Sequence, residues 1–179
     1  EILNDFISTT PEEVAGIINR LKSKSSPTDV IPTVVIKRCV NLFSVALSHL
    51  INLSFASGTF PTILKKGHVT PLIKKQDLDT ADPASYRPIT NLMTISKIVE
   101  QAVLARLRPH MHHSPNFNRF QSAYRPGHST ETALLKVMDD RNASMDSQSC
   151  SVLLSLDISA AFDMINVDIL LSRLGSDFG

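Results

Sequence analysis

Asp157 is the residue whose type and surroundings most directly suggest chemistry. It stands near the end of residues 151–159, where apolar side chains alternate with others, and small residues follow it. Alternation with a period of two predicts a half-buried strand over residues 151–159. A carboxylate at the end of such a strand can bind Mg²⁺, which prefers oxygen ligands. One carboxylate rarely holds Mg²⁺ alone, so the alternative that Asp157 caps a helix or faces solvent stays open.

Two short segments combine an aromatic ring, an arginine and a proline. One covers residues 86–88 (YRP), and the other covers residues 120–129 (FQSAYRPGHS). An arginine fork can bind phosphate through two parallel hydrogen bonds, and an aromatic ring can stack on a base or a sugar. The same residues would also serve to anchor ordinary loops, and their chemistry alone does not separate the two interpretations.

Charge is unevenly distributed along the sequence. The formal net charge of the whole chain is +1, which argues against a strongly basic nucleic-acid-binding protein. Residues 59–128, however, hold ten basic and four acidic residues, net +6, whereas residues 129–179 hold three basic and eight acidic residues, net −5. This division fits a polyanion partner for the middle of the chain and cations near its end, and it equally fits two solvated faces of a neutral domain.

The composition is typical of a folded globular protein. Hydrophobic residues make up 42% and charged residues 20% of the 179 residues, so intrinsic disorder is not expected. Two cysteines exclude a disulfide scaffold. The longest apolar stretch, residues 40–55, is interrupted by polar residues and falls short of the ~20 residues that a membrane helix needs. We therefore expect an intracellular protein with no membrane partner.

Capping residues and apolar periodicity predict helices joined by polar loops. Residues 10–13 (TPEE) form a capping box with proline at the first helical position, which begins a helix over residues 11–21. Apolar stripes spaced three and four residues apart predict three more helices, over residues 34–56, 94–108 and 129–140. Residues 68–73 predict a strand, and Pro71 places it at an edge because proline cannot donate to a sheet ladder.

Five segments carry a resemblance to a known family. They are residues 58–61 (GTFP), 66–74 (KGHVTPLIK), 85–89 (SYRPI), 120–130 (FQSAYRPGHST) and 156–163 (LDISAAFD). Taken in this order, they resemble the reverse transcriptase of non-LTR (LINE-type) retrotransposons. Each segment alone is weakly specific, whereas their order and spacing over nearly the whole chain are highly specific.

The resemblance implies an α+β fold in which a mostly helical fingers-like region precedes the first strand of a polymerase palm. It assigns residues 1–58 to an N-terminal helical segment, residues 59–149 to the fingers-like region and residues 150–179 to the start of an incomplete palm. The chain does not begin with methionine and ends at Gly179. We therefore expect an N-terminal fragment of the polymerase domain.

The resemblance also implies roles for individual residues. Asp157 matches the first catalytic aspartate, which binds metal, and the backbone carbonyl of Ile158 is a second contact. Phe162 matches the residue that lies under the sugar of the incoming nucleotide and excludes a 2′-hydroxyl. Lys74 and Arg87 match fingers residues that bind nucleotide.

A third set of matches concerns the template. Tyr124, Arg125 and Gly127 correspond to residues near the template strand.

The implied reaction is RNA-directed DNA synthesis with two Mg²⁺ (or Mn²⁺) ions, in which a primer 3′-hydroxyl attacks the α-phosphate of a dNTP and pyrophosphate leaves. The implied partners are an RNA template, a DNA primer, dNTP and the rest of a parent polyprotein with palm, thumb and endonuclease. Acting on genomic DNA implies a nuclear location.

The chain departs from the family pattern at three points. Residues 26–29 (SPTD) contain no glycine, there is no tryptophan near Leu64, and the 179 residues contain no Tyr-x-Asp-Asp motif. We therefore expect the chain to be inactive alone, with a poorly covered apolar face on residues 151–159. The alternatives are a non-catalytic RNA-binding remnant of a retrotransposon copy or, if the motif order were coincidental, a helical interaction domain without a nucleic-acid role.

Overall fold

The computed structural model describes residues 3, 5–158, 161–162 and 164–179, and the chain divides into two compact units. Ile2–His112 form an N-terminal unit, and His113–Gly179 form most of a C-terminal unit. The first contains helices α1 (Pro11–Arg20), α2 (Thr33–Arg38), α3 (Val40–Ser57) and α4 (Thr94–His113), with strands β1 (Gly67–Ile73) and β2 (Tyr86–Leu92); the second contains α5 (Thr130–Asp146) and α6 (Val167–Phe178). About half of the chain is helical, and the predicted α+β class is confirmed at this level.

Helix α1 begins where the capping box predicts. The hydroxyl of Thr10 accepts a hydrogen bond from the Glu13 amide at 3.3 Å, and Pro11 occupies the first turn, where its missing N–H has no helical partner to lose. The apolar face of the helix is buried and packs against α3. Local capping and the packing of one face therefore specify the same helix.

The single helix predicted over residues 34–56 is instead two helices. The backbone departs from helical geometry at Cys39, with φ −107° and ψ 36°. The break allows Ile36 of α2 and Leu47 of α3 both to be buried in the same cluster. Gly58 ends α3 in the left-handed conformation, with φ 60°, which glycine adopts without steric cost.

Helix α3 is also the helix among the described residues that is long and apolar enough to cross a membrane by length and composition alone. Leu47 and Ile51 on this helix are buried in the core of the N-terminal unit, together with Ser44 and Ser48. Leu42, Val45 and Leu53 on the same helix are exposed, so packing within the N-terminal unit covers only part of its apolar surface.

One hydrophobic cluster holds the N-terminal unit together. It contains ten buried apolar side chains from α1, α2, α3, α4 and the turn Thr62–Lys65: Val14, Ile17, Ile18, Ile36, Leu47, Ile51, Leu64, Ile98, Val99 and Ala102. Burial of one such large aliphatic side chain stabilises a fold by about 1.5–3 kcal/mol relative to leaving it exposed. Helix α4 extends beyond the predicted end at residue 108. Pro109 lacks a backbone N–H and removes one helical hydrogen bond, but the helix continues through it to His113.

Asp29 connects the loop between α1 and α2 to the first turn of α4. Its carboxylate accepts hydrogen bonds from Thr94 N at 2.6 Å, Thr94 Oγ1 at 2.7 Å and Ser26 N at 2.7 Å. Because the Thr94 hydroxyl donates to Asp29, the Thr33 hydroxyl donates to Thr94 Oγ1, 2.7 Å away. A carboxylate at the start of a helix accepts a hydrogen bond from an otherwise unpaired N–H, and its negative charge interacts favourably with the positive end of the helix dipole. Residues 26–29 do this without glycine and without a positive φ.

Strands β1 and β2 form an antiparallel hairpin. The strand predicted over residues 68–73 is confirmed as β1, whereas β2 was not predicted, because Pro88 and the polar residues before it indicate a loop. Lys74 N donates to Ser85 O at 2.9 Å, and hydrogen-bonded pairs recur at alternate positions of an antiparallel ladder. Pro71 and Pro88 lie opposite each other. Pro71 and Pro88 therefore form a non-hydrogen-bonded pair, in which the ladder requires no N–H donor. Proline is tolerated in edge strands for this reason.

The C-terminal unit is built differently, because none of its described side chains is buried. Helix α5 begins at the predicted N-cap, Ser129, which exchanges hydrogen bonds with Thr132 in a capping box, and it runs to Asp146, beyond the predicted end at residue 140. Helix α6, which the sequence analysis did not predict, begins with the Asn166 side chain accepting hydrogen bonds from two backbone amides.

The strand predicted over residues 151–159 is wrong for the described part, residues 151–158, where the structure has no strand. A strand requires a neighbouring backbone for its hydrogen-bond ladder, and no described segment pairs with these residues. Val152 is 90% and Leu156 82% exposed, which agrees with the expectation of a poorly covered apolar face.

Replacing Asp29 is expected to destabilise the N-terminal unit. Asp29→Ala leaves the buried start of α4 without its cap, at a cost of roughly 1–3 kcal/mol in the free energy of unfolding. Urea denaturation followed by circular dichroism measures this cost. Asp77→Ala is the matched control, because Asp77 is exposed and its side chain has no hydrogen bond among the described residues. Equal midpoints for the two variants would show that the contact is not structural.

A methyl group at Gly67 is expected to strain the hairpin. A Cβ built at Gly67 lies 2.5 Å from Thr90 Cγ2, and a β-branched side chain has little freedom to move aside. Gly67→Ala should therefore lower stability by about 1–3 kcal/mol, and it should do so much less in a Thr90→Ser background, which lacks that methyl. Gly175→Ala, with open space around its Cβ, is the control. Equal effects of Gly67→Ala in both backgrounds would contradict the assigned clash.

Candidate functional site

The predicted nucleotide-binding residues Lys74 and Arg87 lie on the same face of the hairpin. Arg87 pairs with Leu72 across the two strands, and Lys74 follows Leu72 by two residues, so all three side chains share one face. Both cations are exposed. Their surroundings differ, because Lys74 Nζ donates a hydrogen bond to Ala84 O at 2.8 Å, whereas Arg87 has no hydrogen bond or ion pair among the described residues.

The predicted template-binding residues lie in a turn of the C-terminal unit, a few residues before α5. Arg125 Nη1 donates to Arg119 O at 3.0 Å, and the Arg125 guanidinium lies 5.7 Å from the centre of the Phe117 ring. The Arg119 guanidinium lies 4.6 Å from the centre of the Phe120 ring. Cation–π contacts of this kind stabilise a loop by about 0.5–1 kcal/mol at exposed sites. They leave the edges of the guanidinium groups available for hydrogen bonds.

Tyr124 has an unusual backbone conformation for a tyrosine. Its φ is 60°, in the left-handed region, and its side chain is 86% exposed. A non-glycine residue in this region costs roughly 1–2 kcal/mol, and such residues are concentrated at functional sites. Gly127 also has a positive φ, 74°, which suits glycine. The turn thus carries a strained backbone and presents its tyrosine ring to solvent.

A cleft of about 800 Å³ lies beside this turn, and its lining includes charged, aromatic and small side chains: Arg119, Phe120, Gly127, His128, Lys136 and Asp140. Lys136 is paired with Asp140 one turn along α5. His128 Nδ1 lies 3.1 Å from Pro126 O, and because a carbonyl only accepts, Nδ1 carries the proton. The Ser129 hydroxyl at the start of α5 lowers the pKa of Glu131 by hydrogen bonding.

Sequence reasoning did not identify Arg119, His128 and Lys136 as possible contacts for a ligand. His128 and Phe120 lie inside the segment that carried the resemblance, and Arg119 directly precedes it. The neighbouring Arg119 and Phe120 were the available indication of a basic and aromatic surface. Lys136 is brought to the cleft by the α5 periodicity, since it lies one turn beyond Thr132.

The candidate metal-binding residues are exposed and are not assembled into a site. Asp157 is exposed, and the side chains of Ile158 and Phe162 are also largely exposed. Asp163 lies outside the described residues. Among the residues that the structure describes, no three His, Cys, Asp or Glu side chains are grouped so that they could hold a metal ion. The Asp157 carboxylate and the Ile158 carbonyl are oxygen donors of the kind that Mg²⁺ prefers, but they are too few to hold it.

The structure therefore arranges the predicted residues in three groups. Lys74 and Arg87 share a face of the hairpin in the N-terminal unit. In the C-terminal unit, the turn at residues 124–127 lies beside a cleft. The described residues 157–158 and 161–162 are exposed and belong to no strand.

Comparisons with known proteins point to one family. The family model described as "Reverse transcriptase (RNA-dependent DNA polymerase)" matches residues 73–176, which include all eight predicted site residues. The chain is 31% identical over 156 residues to a probable RNA-directed DNA polymerase from transposon X-element of Drosophila melanogaster, covering 87% of this chain and 17% of that protein.

Two further relatives from Drosophila melanogaster give the same result. The chain is 31% identical over 168 residues to a putative 115 kDa protein in type-1 retrotransposable element R1DM, covering 93% of this chain and 16% of that protein. It is 28% identical over 159 residues to an RNA-directed DNA polymerase from mobile element jockey, covering 88% and 17%. The chain thus spans about a sixth of the length of these curated relatives.

Proposed function

The chain belongs to the reverse transcriptase (RNA-dependent DNA polymerase) family, and we propose that it contributes nucleic-acid and nucleotide contacts to an RNA-directed DNA polymerase. The resemblance to the enzymes of non-LTR retrotransposons is confirmed by its relatives. The proposed partners are an RNA template, a DNA primer, dNTP and the other parts of a retrotransposon polyprotein. The proposed location is intracellular, and nuclear when genomic DNA is the target.

The aromatic and basic turn at residues 124–127 is the observation that carries this proposal. The turn holds the Tyr124 ring in solvent on a strained backbone, beside Arg125 and a cleft that contains further cations. A solvent-facing ring can stack on a base whatever its identity, and arginine binds phosphate. We assign Tyr124, Arg125 and Gly127 to the template strand, and Lys74 and Arg87 to the nucleotide or its phosphates.

We assign Asp157 and Ile158 to divalent metal and Phe162 to the sugar of the incoming nucleotide. The family chemistry is attack of a primer 3′-hydroxyl on the α-phosphate of a dNTP, with pyrophosphate as the leaving group, and the metal ions stabilise the charge that develops. In this chain, the Asp157 carboxylate and the Ile158 carbonyl supply oxygen donors. The described residues contain no cluster of further carboxylate, His or Cys side chains that would complete a metal site. The chain alone is therefore proposed to bind nucleic acid without extending a primer.

The second candidate function is that of a non-catalytic RNA-binding remnant of a retrotransposon copy. The exposed, unassembled Asp157 segment favours it, because the basic turn and hairpin could bind RNA with no metal site at all. The two functions share the RNA contacts and differ in whether Asp157 contributes to a reaction.

The 179-residue chain is expected to bind a single-stranded RNA oligonucleotide, with affinity falling as salt rises. Each phosphate contact contributes a slope of about −0.7 in a plot of log affinity against log salt. Tyr124→Gly keeps the left-handed backbone and removes the ring, so affinity should fall by about 1–3 kcal/mol, whereas Tyr124→Phe should retain it. Fluorescence anisotropy at several salt concentrations measures both quantities.

Arg125→Gln should reduce the magnitude of that salt slope by about 0.7. Arg38→Gln is the matched control, because it removes the same charge from an exposed arginine on α2. No RNA binding at low salt, or equal slopes for the two arginine variants, would contradict the assigned template contact.

A further inference from the structure

The connection between β1 and β2, residues 74–85, is closed by hydrogen bonds from its first residue, Lys74, and from Tyr86, which directly follows it. Lys74 Nζ donates to Ala84 O at 2.8 Å, and the Tyr86 hydroxyl donates to Thr80 O at 2.9 Å. The backbone adds one bond at the base, from Lys74 N to Ser85 O at 2.9 Å. The loop therefore has a defined path, although most of its residues are exposed.

The residue that Lys74 holds is itself fixed from the other side. Ala84 N donates to the Asp82 carboxylate at 2.9 Å, and Pro83–Ser85 form one short 3₁₀ turn. Both polar groups of Ala84 are thus bound, and the neighbouring Ser85 is buried. This turn leads directly into β2, so its geometry influences the position from which the Arg87 side chain extends from the strand.

The two cations of this hairpin face are not equivalent. The Lys74 ammonium has a partner inside the loop, whereas Arg87 has no hydrogen bond or ion pair among the described residues. A guanidinium presents five donors in a rigid fork that suits phosphate, and its usefulness depends on how the fork is aimed. Through its hydrogen bond to the turn, Lys74 can influence the orientation of the Arg87 guanidinium.

We propose that Lys74 is a positioning residue that acts through Arg87. Its ammonium holds the Ala84 carbonyl, this contact keeps the Pro83–Ser85 turn closed, and the closed turn aims the Arg87 fork at a phosphate of bound RNA or nucleotide. This inference rests on the proposed function, and it narrows the joint assignment of the two residues: Arg87 is the phosphate ligand, and Lys74 prepares it.

A double-mutant cycle tests the proposal. Lys74→Met keeps the aliphatic stem and removes the donor, and Arg87→Gln removes the fork. Affinity for a single-stranded RNA oligonucleotide and, in a separate titration, for a dNTP is measured for the wild-type chain, both single variants and the double variant. The ligand whose affinity Arg87→Gln lowers is the source of the phosphate, and the cycle is evaluated for that ligand. We expect each single variant to bind several-fold more weakly and Lys74→Met to have less than about a twofold effect in the Arg87→Gln background, since coupled residues are not additive. Effects that multiply in the double variant would overturn the proposal.

The salt dependence separates the two roles further. Arg87→Gln should reduce the magnitude of the salt slope by about 0.7, whereas Lys74→Met should leave the slope unchanged, because it removes no phosphate contact. A slope reduced equally by both variants would make Lys74 a direct ligand and overturn the proposal.

Hydrogen exchange of the loop amides provides a readout that does not depend on RNA. Lys74→Met should speed exchange in residues 75–85, whereas Arg87→Gln and the control Lys75→Met should not. Unchanged exchange in Lys74→Met would overturn the positioning role even if RNA binds. If the wild-type chain binds no RNA at low salt, the proposed function fails, and the exchange rates still decide whether Lys74 closes the loop.

Discussion

The contact between the Asp29 carboxylate and the first turn of α4 is the interaction on which the N-terminal unit depends. One carboxylate binds the amide and hydroxyl of Thr94 and the amide of Ser26. It therefore fixes the start of α4, the helix that supplies Ile98 to the buried cluster. Only Met93 separates α4 from β2. Fixing the start of α4 thus also fixes the end of the hairpin that carries the candidate phosphate-binding face.

Helix α4 also holds the beginning of the chain in place. Arg106 forms an ion pair with Glu13 of α1, and its guanidinium donates to the carbonyls of Ile7 at 2.9 Å and Ser8 at 3.2 Å. The hydrogen bond from Arg106 holds the pKa of Glu13 below its usual range. This pair therefore stabilises the fold at neutral pH and loses that contribution as Glu13 is protonated in acid. Residues 7–13 are thus anchored to α4.

Local sequence was sufficient where a helix start or a strand edge is specified by neighbouring residues. The capping residues at Thr10 and Ser129 and the short strand around Pro71 are examples. It was insufficient where tertiary contacts decide: the break at Cys39 serves the burial of two helices, and residues 151–158 find no partner strand. The site residues came from family resemblance. Local patterns could not reveal that Lys74 Nζ bonds to a carbonyl ten residues later.

The two units have different relations to the proposed function. The N-terminal unit has a core that positions a hairpin, whereas the C-terminal unit presents a basic turn and the Asp157 segment without any buried described side chain. We propose that this chain binds a primer–template without completing a metal site. Primer extension on an RNA template with Mg²⁺ and dNTPs, at saturating chain, tests it directly. We predict a bound primer that is not extended; extension that Asp157→Asn abolishes would contradict the account.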